Sequence, residues 1–220
     1  MTTNSIGLTI PIPAAQGGTG TVGTGILDTN GNEVITYPAT ASAVNHVEFI
    51  NAATGVNPQV LARGDDTNIT LQLGGKGTGG AAIVGTSTND DAGAAYVGQI
   101  ISSTVLTTGA VSLTTDTPAN VTSISLTAGD WDVWGNVYIA GSAAVVTMYI
   151  SWISTTSATV PNLAHTSIIQ YTDGAFNIGT DTPNIRLSLN TTTTVYLSGQ
   201  ATISSGTATA CGNIFARRRR

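Results

Sequence analysis

Asp130, Asp132, Trp134, Asn136 and Tyr138 occupy alternate positions of one run, GDWDVWGNVY. In an extended strand alternate side chains share a face. Two carboxylates, an amide and two aromatic rings therefore project together. Trp131, Val133, Gly135, Val137 and Ile139 take the opposite face, which reads as core. The next run, Val145–Ser154, places Val146, Met148, Ile150 and Trp152 inward by the same rule, and Tyr149 outward with Thr147 and Ser151. Paired, the two runs give an outward patch of Asp132, Trp134, Asn136, Tyr138 and Tyr149. Two chemistries fit it. One is a subunit interface, because aromatic residues gather at interface centres. The other is a glycan platform, with rings for the apolar face of a sugar and Asp and Asn for its hydroxyls. The interface reading comes first, since an exposed Trp is a solubility liability.

Catalysis finds less support. Asp130 and Asp132 stand at i and i+2, roughly 6.5–7 Å apart along a strand. That separation suits a glycosidase pair, yet no cleft is evident around them, so a glycan depolymerase ranks last among the readings. His46 and His165 have no nucleophile motif near them. Asp65-Asp66 and Asp90-Asp91 lack a third metal ligand and read as turns. Gly74-Gly75-Lys76-Gly77-Thr78-Gly79 lacks the order of a phosphate-binding loop and precedes no helix pattern. Arg63-Gly64-Asp65 reads as a turn. No catalytic residue, metal or cofactor is expected.

The composition points to strands and to partners. Charged residues are 9% of the 220, against about 25% in ordinary globular domains. No apolar series at helical spacing emerges, so the chain is expected to be nearly all β. A surface so poor in charge is expected to be buried against other chains. Four of the seven basic residues are Arg217–Arg220. The first 216 residues carry three basic against twelve acidic side chains, a net of −9. That body repels phosphate, so no nucleic-acid partner is expected. The arginine run reads as a solvated or inter-subunit basic cluster. Cys211 is the single cysteine, so no intramolecular disulfide forms. No apolar run is long enough to cross a membrane. The opening MTTNSIGLTIPIP lacks a signal peptide's basic start and apolar centre, so synthesis in the cytoplasm without signal-dependent export is expected.

Organisation divides the chain into four. Residues 1–24 read as an extended arm, broken by Pro11 and Pro13 and rich in Gly. Residues 25–80 hold short strand-like runs (Glu33–Tyr37, His46–Ile50, Gln59–Arg63, Asn68–Leu73) cut by Asn-Gly, Thr-Gly and Gly-Gly turns. Leu27–Glu33 is a turn built around Asn30-Gly31 between two short strands, and Ile69, Leu71 and Leu73 share a face. Such strands are too thin to fold as an independent sheet. Residues 81–98 read as a linker. Residues 99–220 hold about eight strands with regular turns, which suggests a β-sandwich or jelly roll.

Pro13-Ala14-Ala15-Gln16-Gly17-Gly18-Thr19-Gly20 resembles an element of bacteriophage tail-fibre proteins. So does the ordered series ILDTNGNE (26–33), ATASAVN (39–45), NAATG (51–55), DTNI (66–69) and KGTG (76–79). The segment VTSISLTAGDWDVWGNV is similar to the globular C-terminal domains of such fibres. The resemblance to the tail-fibre and head-fibre (virion spike) family implies a homotrimer with an intertwined β shaft or collar and a sandwich tip. It implies that the arm, through Ile10, Pro11, Ile12, Pro13, Gln16, Gly17 and Gly18, docks onto another virion protein. It also implies host attachment, with a host surface glycan as the expected ligand. The alternative is a head decoration protein without a receptor.

Overall fold

Alternating apolar residues separated by Gly and Asn turns build the strands of the described residues. The computed structural model describes residues 2–3, 9–10, 25–27, 30, 32–36, 38, 40–85, 87, 90–170 and 177–220. Two compact units emerge, residues 1–84 and 85–220.

Among its described residues the first unit contains only two-stranded ladders. β1 (Thr2–Thr3) pairs antiparallel with β2 (Thr9–Ile10). β3 (Gly25–Leu27) pairs with β4 (Glu33–Thr36), with the Asn30-Gly31 segment between them. β5 (Asn45–Ile50) pairs with β6 (Gln59–Gly64) in continuous register. Gly55, at φ +83°, supplies a left-handed residue in the connection. Asn68–Leu73 departs from expectation, because it forms no strand. A strand needs a neighbour to satisfy its backbone N–H and C=O groups, and this segment has no ladder partner among the described residues.

The second unit is built on two 26-residue strands. β7 (Ile100–Val105), β8 (Val111–Leu113) and β9 (Ala119–Leu126) lead to β10 (Gly129–Ser154). β11 (Thr166–Gln170), β12 (Ile178–Asp181) and β13 (Ile185–Leu189) then lead to β14 (Thr193–Arg218). Sequence reading divides each long strand in two and leaves β12 out. Instead β10 runs unbroken from Gly129 to Ser154 and pairs with β14 along its length. The register shifts between Ser142 and Met148. Extra residues of this kind bend a strand and increase its twist.

The bend folds the sheet over itself. One layer runs β7 and β8, the second half of β14, the first half of β10, then β12 and β13. The other runs β9, the first half of β14, the second half of β10, then β11. Counting legs in chain order gives 1-8-3-6 facing 2-7-4-5, the winding of a jelly roll. The layers touch closely. A Cβ at Gly135 would lie 3.0 Å from Leu197 Cδ1, and one at Gly199 3.3 Å from Val137 Cγ1. Thr180 Oγ1 donates to Ser151 Oγ across the gap at 2.9 Å. Between the layers lie Trp131, Val133, Val137, Ile139, Val146, Tyr149, Ile153, Val195, Leu197 and Ile214.

Candidate functional site

The outward face of the first layer carries Asp132, Trp134, Asn136 and Tyr138 together, as alternation along β10 requires. Tyr149 does not join them. It is fully buried in the core. Beyond the register shift Tyr149, Ser151 and Ile153 face inward, opposite Ala201, Gly199 and Leu197. Ile150 and Trp152 turn to the other side and are corrected as well, whereas Val146 lies in the core as expected. Trp152 is nevertheless fully buried. It pairs with Ser198, whose hydroxyl bonds Asn120 at 2.9 Å, and Asn120 also holds Ser157 and Ala158 of the loop after β10. Of the arm residues, Ile10 lies in β2. Pro11, Ile12, Pro13, Gln16, Gly17 and Gly18 lie outside the described residues.

Neighbouring strands complete the outward face. Cross-strand pairing sets Phe215 beside Trp134, and the two rings stack with centroids 5.9 Å apart and planes at 18°. Asn136 donates through Nδ2 to Asp181 Oδ1 at 3.1 Å. Asp132 is flanked by Arg219 at 3.1 Å and Arg217 at 3.8 Å. Asp130 accepts two 2.7 Å bonds from Nε and Nη2 of Arg186. These bonds, with Arg220 and Arg219 nearby, hold its carboxyl below the usual carboxylate range. Both candidate catalytic carboxylates are thus engaged by arginines, as structural anions are.

The arginine run is therefore more than a solvated cluster. Arg218 is buried and lies 4.3 Å from the centre of the Trp131 ring, a cation–π contact. Its guanidinium also bonds Gln99 Oε1, the Ala128 carbonyl and Thr127 Oγ1. The run supplies countercharges to Asp130 and Asp132 and closes the end of the core within its own chain.

Next to Trp134 the face opens into a shallow depression of about 510 Å³, lined by Asp132, Trp134, Gly135, Asp181, Thr182, Asn184 and Arg217. Its origin is topological. β13 pairs with β10 as far as Val133, and β12 begins its pairing at Asn136. The segment Asp181-Thr182-Pro183-Asn184 bridges that interruption. Buried Thr182 ties it down, accepting from Gly135 N–H at 3.0 Å while its own N–H donates to Gly135 O at 2.9 Å. Sequence reading misses Asp181, Asn184 and Phe215 as members of this face. Alternation along Cys211–Ala216 places Phe215 with Asn213; Asp181 ends a strand too short and polar to signal itself, and Asn184 lies in the connection that follows it.

No family model matches the chain, and no curated protein matches it. Solved structures with a partial likeness are those of a virus capsid protein. The VP2 subviral particle of infectious bursal disease virus is 13% identical over 55% of this chain and 32% of the capsid chain, with a TM-score of 0.36. The structure of that virus's Gx strain is 11% identical over 63% of this chain and 38% of that one, at 0.34. The chain spans about a third of the length of these capsid chains. Overlap at this level carries no argument about function. Among the described residues no cluster of His, Cys, Asp or Glu is placed to hold a metal. No described helix is long and apolar enough to cross a membrane.

Proposed function

We propose that the protein is a structural component of a virus particle, a bacteriophage fibre or spike that assembles as a homotrimer and attaches non-covalently to the host surface. The N-terminal arm docks on another virion protein, residues 25–80 form the shared shaft or collar, and the jelly roll is the displayed tip. It acts without catalysis. The observation that carries this reading is the state of the first unit, where no described side chain of residues 30–85 is buried. Phe49 is 75% exposed, and Val47, Val60 and Leu73 are exposed with it. Cross-strand pairing sets Val47 and Phe49 beside Ala62 and Val60 on one face of the β5–β6 ribbon. The opposite face carries the Arg63–Glu48 ion pair at 2.9 Å. A ribbon with one apolar face and no interior gains a core only from other surfaces. The resemblance to phage fibres suggests that these surfaces belong to copies of itself. Native mass measurement of the full chain tests this, with three chains expected. A stable monomer at micromolar concentration overturns it.

A further inference from the structure

The depression beside Trp134 has a composition that selects its ligand. We propose that it is a subsite for a neutral pyranose, bound through Trp134, Asp181 and Asn184. This rests on the reading of the jelly roll as an attachment tip and adds the ligand class.

A pyranose presents an apolar C–H face and a rim of hydroxyls. Trp134 is half-buried, stacked on Phe215 and fixed on a strand, so its ring is a rigid apolar platform. Around it stand polar groups with unused bonding capacity. Asp181 gives one carboxylate oxygen to Asn136, which leaves the other to accept from sugar hydroxyls. Asn184 is exposed and has no side-chain hydrogen bond among the described residues. A few convergent polar groups beside an aromatic wall are how pockets fix a ligand's orientation. The segment bearing Asp181 and Asn184 is held by buried Thr182, so the polar groups and the ring keep a fixed relation.

Charge decides between neutral and acidic sugars. Arg217 and Arg219 face Asp132, and Asp130 answers Arg186 and Arg220. Asp181 has an amide partner and no arginine. The depression is lined by two carboxylates, Asp132 and Asp181, and one guanidinium, Arg217, which faces Asp132; the carboxylate left over, Asp181, accepts from hydroxyls and repels a uronate or sialate. Residues 85–220 carry seven acidic against five basic side chains, a net of −2, which adds to that repulsion.

The tryptophans supply the readout. Trp131 and Trp152 are fully buried, so acrylamide quenching of the full-length protein reports mainly Trp134. The probes are the methyl pyranosides of glucose, galactose, mannose and N-acetylglucosamine, with methyl glucuronide as the anionic control. One neutral glycoside is expected to lower the quenching constant about twofold and to move the Trp134 indole resonance, with Kd in the millimolar range, on the order expected for a single sugar ring. Asn184→Ala is expected to weaken binding about tenfold and to leave the fold intact. A response to the glucuronide alone, or to none of the neutral probes, overturns the proposal. So does a Trp134 already shielded from acrylamide without sugar, which makes the face a subunit interface. Native mass on the same sample separates the two readings, since a monomer that binds the sugar refutes the fibre and keeps the site.

Discussion

Residues 1–84 and residues 85–220 both form β-strands, yet among the described residues only those of the second have an interior. In the first, ladders two strands wide expose Val34, Val47, Phe49 and Val60, and the segments outside them expose Val56 and Leu73. In the second, two long strands bend and stack, so that Trp131, Val133, Leu197 and Ile214 are fully buried. The residue types are similar, and closure makes the difference. A two-stranded ribbon has no second layer, whereas a folded sheet supplies its own. The first unit must find its second layer elsewhere, and the jelly roll does not need one.

Separating the units tests this contrast most severely. A fragment of residues 85–220 is expected to melt cooperatively with β-type circular dichroism. A fragment of residues 1–84, held monomeric by dilution, is expected to show no cooperative transition. If the short fragment melts cooperatively as a monomer, the contrast collapses.

Smaller changes sharpen it. Trp131→Ala removes a buried ring and the surface beneath Arg218, at a cost of about 3–5 kcal/mol; calorimetry should show this loss in the second unit's transition. Phe49→Asp removes about 1.5–3 kcal/mol of potential burial per chain. It is expected to leave the second unit's melting unchanged while abolishing oligomers in native mass spectra. A subunit count unaffected by Phe49→Asp removes the β5–β6 face from the assembly.

The smallest expected effect is electrostatic. Arg186 holds the Asp130 carboxyl below its ordinary value of 3.8. The stability from that pair is fully present above the ordinary value and is lost as pH falls through the lowered one. The melting difference between the native chain and Asp130→Asn should be constant near neutrality and shrink below about pH 3.8. A difference that grows with acid contradicts the pairing.

The site was partly legible. Alternation alone placed Asp132, Trp134, Asn136 and Tyr138 on one face, because β10 is regular from Gly129 to the bend. The same rule failed for Tyr149, since the register shifts between Ser142 and Met148 carry no mark in a run of Ser, Ala and Val. Asn68–Leu73 failed for another reason. Its alternation is strict, but a strand is defined by its neighbour, and alternation does not supply one.

By itself, the sequence determined the β character, the turns and the parity of side chains within each regular run, all of which depend on nearest neighbours along the chain. Tertiary structure alone decided which halves of β10 and β14 face each other, that Arg218 lies on Trp131, and that Asp181 and Asn184 reach Trp134. Those relations join residues about fifty to ninety positions apart, and they arise from bends and strand order that close the sheet over one core.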